Sequence, residues 1–179
     1  LSEVEITKES VVKQIMTVKN KVNLGFLGFR DGENKFTYPR FDEDKVNVMF
    51  TAIGELCDYL IVDCTSSLSN PIAGVAVKTA GQVIRLASPD LSSVSFFSSQ
   101  LRLYADPAYR LNEQITGLNT PDSDLFMPIE GAKKRIPDVR FTIPYCREVK
   151  QQMLDGKLYA EVTDKKFNEK LRAIAEKVV

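Results

Sequence analysis

The sequence predicts an α/β fold: a mostly parallel sheet with helices on both faces. Three observations carry this expectation. Short β-branched or apolar runs alternate with stretches whose apolar residues recur at helical spacing, the pattern of βαβ units. Several of those runs stop at a polar residue and open into a loop, at Asp63, Asp90, Asn119 and Tyr145. The chain has 179 residues, enough for a single domain, 1–179, with a sizeable core.

The elements follow in order. Thr7 is placed to cap a helix reaching about Lys21, with Val11, Val12, Ile15 and Met16 near helical spacing. The run Leu24-Gly-Phe-Leu-Gly-Phe29 then reads as a buried strand, and residues 30–42, with Asp31-Gly32 and Pro39, as a loop or small hairpin. Asp42 or Asp44 caps the next helix, where Val46, Met49, Phe50, Ile53 and Leu56 form one apolar face. Tyr59-Leu-Ile-Val62 reads as a second buried strand ending at Asp63, and a short helix is expected at about 72–78. A strand over 82–87 leads to Asp90, which caps a helix bearing Leu91, Val94, Phe97, Leu101 and Tyr104. Residues 114–119 form a weaker strand, and Thr120-Pro-Asp122 opens a short helix that breaks at Pro128. The last strand is 139–143, and Thr163 caps a terminal helix with Phe167, Leu171, Ile174 and Val178 on one side.

Composition narrows the chemistry. With no histidine, Ser-His-Asp and Cys-His nucleophiles and imidazole-held metals have no place within this chain. Three cysteines without CxxC spacing indicate neither a zinc site nor a disulfide framework, which suits a cytoplasmic protein. Lys78 and Arg85 interrupt the most apolar stretch, so no run approaches the ~18 residues of a membrane span and no stable membrane insertion is expected. Net charge is zero, yet residues 1–130 hold 12 basic and 17 acidic side chains and 131–179 hold 12 and 7. That basic end is either a solvated surface or a contact for phosphates, including nonspecific DNA.

In a parallel sheet, ligands bind beyond the carboxyl ends of the strands, so the polar residues there are the candidates. Asp63 would hold Mg²⁺ directly or through water if phosphates lay beside it, or simply end a strand. The loop Cys64-Thr65-Ser66-Ser67 offers hydroxyls and backbone N–H groups for a terminal phosphate, or for an ordinary hydrogen-bonded turn. The Asn119 amide can match the edge of adenine, and Pro144 and Tyr145 can wall in a purine ring or pack internally.

The order Tyr59-Leu-Ile-Val-Asp63, a polar loop, a strand ending in Ser88-Pro-Asp90, Ile115-Thr-Gly-Leu-Asn119 and Phe141-Thr-Ile-Pro-Tyr145 resembles the ParA/MinD family of deviant-Walker P-loop ATPases from about residue 24 onward. The resemblance implies a P-loop NTPase-like three-layer sandwich. It also implies a homodimer switched by Mg²⁺ and ATP/ADP, which positions DNA, pilus, secretion or conjugation machinery with a cargo or activator protein. Asp63 would be the Mg²⁺-associated and catalytic aspartate, Thr65 and Ser66 would lie in the second switch loop, and Asn119, Pro144 and Tyr145 would border the adenine.

One part of the family pattern is missing. None of the nine glycines forms a G-x₄-G pair, and the lysine-rich variant of the phosphate loop is absent too. The expectation is a chain lacking its N-terminal phosphate-loop strand and helix, not competent for ATP hydrolysis alone. The alternative is a degenerate, non-catalytic relative that serves as a localisation or assembly platform. A nucleotide-dependent ligase or synthetase on the same sheet is a third reading.

Overall fold

The computed structural model describes residues 5–34, 36–37, 41–100, 102–120, 127–157 and 159–178. Its contacts divide into two compact units, Leu1–Thr79 and Ala80–Val179.

The first unit is built on helices. Helix α1 (Lys8–Val12) opens with a reciprocal cap: Thr7 accepts from the Ser10 N–H and Ser10 Oγ accepts from the Thr7 N–H. It ends nine residues short of the expected Lys21. The segment that follows is rich in β-branched Ile15, Thr17 and Val18, and Asn20 (φ 67°) takes the left-handed turn that reverses the chain. The reversal pairs β1 (Met16–Val18) with β2 (Lys21–Phe26) as an antiparallel hairpin. Gly25 lies against Ile15, whose Cγ2 would stand 2.7 Å from an added Cβ.

Helix α2 (Glu43–Gly54) starts where Asp42 accepts the Lys45 N–H at 2.8 Å, and α3 (Pro71–Thr79) starts where Asn70 Oδ1 accepts from Ile72. Val46, Met49, Ala52 and Ile53 of α2 form a core with Val11 and Val75.

Two expected buried strands are corrected here. Leu24 and Phe26 belong to β2, but the hairpin has only two strands and its residues are largely exposed, as are Gly28 and Phe29 beyond it. Residues 59–62 form no strand: Ile61 is 91% exposed and Tyr59 68%. A β-rich sequence becomes a strand only against a neighbouring ladder, and this run has none among the described residues.

The second unit holds the parallel sheet, so the mixed α/β class is borne out. Strands β3 (Ile84–Ala87), β4 (Ile115–Asn119) and β5 (Val139–Ile143) lie in the order β3-β4-β5, parallel throughout. Helix α4 (Leu91–Gln100) follows β3. Three short 3₁₀ turns, Leu103–Ala105, Pro107–Tyr109 and Leu111–Glu113, lead into β4 where helix was expected to run on to Tyr104. The expected start of a helix at Pro121-Asp122 lies outside the described residues; α5 (Ile129–Lys133) begins after Pro128. Ala87, Phe97, Leu118, Ala132 and Ile136 form the core, with Val94, Met127 and Val139 around it.

Helices α6 (Arg147–Leu154) and α7 (Lys165–Val178) close the unit, with α7 against β5. The α7 cap is Asp164, accepting the Phe167 N–H at 3.0 Å, and not Thr163. Thr163 instead gives its N–H and hydroxyl to Glu148 of α6, at 2.6 and 2.7 Å. Those bonds favour the charged carboxylate and hold its pKa below the ordinary value. A depressed carboxylate pKa contributes stability that is present above the unfolded value, about 4.3, and is lost as pH falls through the lower folded one. Melting temperatures followed from neutral pH into acid should therefore fall less steeply for Glu148→Gln than for the parent chain, and equal slopes would remove this contribution.

Candidate adenine-binding rim of the parallel sheet

Three chain segments meet at the carboxyl end of β3-β4-β5. After β3, Pro89 is buried and Asp90 caps α4, its Oδ1 accepting the Ser93 N–H at 2.8 Å. Ser93 Oγ bonds Asp90 Oδ2 at 3.3 Å and accepts the Ser88 N–H at 3.2 Å, closing the turn on itself. The Asp90 carboxylate is thus committed to its own helix. The Met127 N–H returns to the Pro89 carbonyl, tying the start of α5 to the same rim.

Between β4 and β5 the register sets Asn119 opposite Ile143. Thr120 then gives both its N–H and its hydroxyl to the Ile143 carbonyl, at 2.9 and 2.7 Å. These two bonds fix the backbone on either side of the gap between the strands. Pro144 follows with no N–H to place, Tyr145 is half-buried, and buried Cys146 precedes the first turn of α6. Lys150, one turn into α6, carries its Nζ 6.0 Å from the centre of the Tyr145 ring. Asn119 is exposed, and its amide has no hydrogen-bond partner among the described residues. Asn119, Pro144 and Tyr145 are therefore neighbours on one sheet end, as their positions after β4 and β5 require.

Asp63, Thr65 and Ser66 belong to the first unit. They lie together on the exposed loop before α3, and their side chains have no hydrogen-bond partner among the described residues. Burial, then the Asp63 charge, pushes the neighbouring Cys64 thiol pKa up, so this cysteine stays a thiol near neutrality. Among the described residues there is no group of three or more Asp, Glu, Cys or His side chains that could hold a metal ion.

Thr120 and Ser93 are additions that sequence reasoning passed over, and Lys150, read from the sequence as a candidate DNA contact of the basic end, borders the rim through Tyr145. Thr120 had a signal, a hydroxyl directly after a strand end, but its partner lies 23 residues away and only strand pairing reveals it.

Two hollows lie elsewhere. One of about 10 Å³ sits before β3 and β4, lined by Gln82, Tyr109, Arg110 and Gln114, far below the several hundred Å³ of a ligand pocket. The other, of about 340 Å³, is an open cleft between α1 and α2 beside the Lys8–Glu55 ion pair. Neither is lined by a residue of the rim.

The one half-buried cation on β3, Arg85, also faces away from the rim's chemistry. It bonds Thr116 Oγ1 at 3.1 Å and lies over the Phe97 and Tyr104 rings, at 5.4 and 5.7 Å from their centres. Burial lowers its pKa, and its buried Nε has no partner. It packs the core side of the sheet.

Comparison with protein-family models, curated proteins and solved structures found no match. The functional reading therefore rests on the residues themselves.

Proposed function

We propose that the chain is the adenine-recognising body of a ParA/MinD-like switch, a cytoplasmic P-loop-type module whose nucleotide state controls homodimerisation and the placement of a cargo such as DNA or an assembly complex. The observation that carries the reading is the placement of the unpartnered Asn119 amide beside Pro144 and Tyr145 at the carboxyl end of a parallel sheet. An amide presents one donor face and one acceptor edge, which matches the amino group and ring nitrogen of adenine. On the edge that carries N7, guanine presents two acceptors where adenine presents a donor and an acceptor, so a two-bond amide contact there favours adenine. Tyr145 supplies a ring surface, and the Thr120 bonds to Ile143 hold the two strand ends at fixed spacing.

The residues present fit the base and not the phosphates. No glycine-lysine phosphate loop occurs in the 179 residues, and a lone carboxylate at Asp63 is a poor Mg²⁺ site without phosphate oxygens to complete it. No hydrolytic step is assigned to this chain. In this reading the phosphates are held by a strand and loop contributed by other residues. The outer edge of β3 suits such a strand, since no described strand pairs with it, and Ile84 and Leu86, 39% and 53% exposed on one face of β3, suit cover by a helix. Parallel sheets are ordinarily covered on both faces. The missing phosphate loop equally supports a platform that reads adenine without hydrolysing anything.

Binding measurements separate these ideas from no nucleotide role at all. AMP and ATP should bind this chain with affinities within a few-fold of each other, because nothing here rewards the extra phosphates. GTP should bind more weakly. Asn119→Ala should cost roughly tenfold in AMP affinity, the effect of losing hydrogen bonds to a desolvated base. Absence of saturable adenine-nucleotide binding, or equal binding by the Asn119→Ala chain, would contradict the assignment.

A further inference from the structure

The amino ends of β3 and β4, opposite the rim, form a polar corner with one group left over. Gln114 is 3% exposed, and its Nε2 donates to the Tyr109 carbonyl at 2.7 Å. That bond fixes which way round the amide lies, because turning it over would set two carbonyl oxygens against each other. The other end, Oε1, is buried and meets no donor among the described residues. A buried amide carbonyl has given up bulk water, so it requires a donor at its own position.

Its neighbours are already matched. Gln114 lines the hollow of about 10 Å³ together with Gln82, Arg110 and Glu113. Gln82 Nε2 donates to the Val83 and Glu113 carbonyls, at 3.2 and 3.1 Å, and cannot turn toward Oε1 without giving up both bonds. Arg110, in the left-handed region at φ 46°, donates from its guanidinium to the Ala80 carbonyl and to the Glu113 carboxylate.

We propose that this corner binds one water molecule as a fixed part of the fold, donating to Gln114 Oε1 and accepting from the Arg110 guanidinium. Size and charge select the ligand. One water needs about 10–15 Å³, so the hollow takes a single heavy atom. A metal cation would need several oxygens at once, whereas the carbonyls of Ala80, Val83, Tyr109 and Glu113 already accept side-chain N–H groups, and the Arg110 charge lies alongside. An anion would be set against Oε1, itself an acceptor. Water can both donate to the amide and accept from the guanidinium, whose five N–H groups exceed the two bonds it makes within the protein. The Val83 carbonyl accepts the Ile115 N–H at 2.9 Å, at the start of the β3–β4 ladder. The water therefore ties residues 81–83, entering β3, to residues 109–114, entering β4, where their pairing begins. This role is independent of any nucleotide.

A high-resolution crystal structure of the full chain tests this directly. The expected result is one ordered water about 2.7–3.2 Å from Gln114 Oε1 and from an Arg110 nitrogen. Gln114→Met keeps the length of the side chain and removes both amide ends, so it should lose the water and melt at a lower temperature. Melting temperatures of the parent chain should coincide in sodium, potassium and tetramethylammonium chloride at equal concentration. The parent crystal and the salt series need no variant to fold. An Oε1 bonded to a protein donor, an Oε1 facing a hollow without ordered density, or a water retained in the Gln114→Met crystal would each overturn the proposal. So would a rise in melting temperature specific to sodium or potassium, or density held by several oxygens at about 2.3–2.6 Å, either of which would give the corner to a cation.

Discussion

Replacing Leu118 with alanine is expected to destabilise the second unit by about 2–5 kcal/mol, the range for removing a fully buried leucine from a packed core. Leu118 is 0% exposed in the middle strand of the sheet, surrounded by Ala87, Phe97, Ala132 and Ile136. Its neighbours come from β3, α4, α5 and the turn after α5, so no single element can move to fill the space. Denaturant unfolding should show a lower midpoint with unchanged slope. Because Leu118 precedes Asn119, the folded fraction of the variant should bind adenine nucleotide as the parent does. A loss below about 1 kcal/mol would show that β4 is not the centre of this core.

The second large effect is expected one residue earlier. Gly117 is buried, and the Phe141 ring of β5 occupies the space that a side chain there would need: an added Cβ would meet ring carbons Cε2 and Cζ well inside contact distance. The requirement is one of room. Gly117→Val must turn the half-buried Phe141 ring out or spread the two strands, and should cost about 1–3 kcal/mol, as overpacking does. Gly117→Ala should move stability the same way by less. The pair is testable as a cycle. Phe141→Ala opens the space, so Gly117→Ala with Phe141→Ala should cost less than the two single changes added. Strict additivity would mean that the ring and Gly117 do not meet.

The contrast between the two units explains how much of the fold was legible. In the second, local signals and tertiary partners agree: Asp90 caps α4, the run ending at Asn119 becomes β4, and Val139–Ile143 becomes β5. In the first, Tyr59-Leu-Ile-Val62 and Leu24–Phe29 carry equally strong β signals yet remain exposed except for half-buried Val62 and Leu27. Residue type reports a preference for a pleated, half-buried surface and not the presence of that surface. The caps show the same division at smaller scale. Thr7 and Asp42 cap as local spacing predicts. Thr163 does not, because Glu148, 15 residues earlier, takes its N–H and hydroxyl and leaves the cap to Asp164. At the candidate site, positions were readable and connections were not. Strand ends marked Asn119, Pro144 and Tyr145, whereas the double bond from Thr120 to Ile143 that fixes their spacing required the β4–β5 pairing.

The most direct measurement of the central claim is amide chemical-shift mapping of the chain during an ATP titration. The account predicts saturable shifts centred on Asn119, Thr120, Tyr145 and Cys146, matched by those that AMP induces and requiring roughly tenfold more ligand in the Asn119→Ala chain. Saturable shifts confined to other parts of the molecule, or none at concentrations that would fill even a weak site, would contradict it.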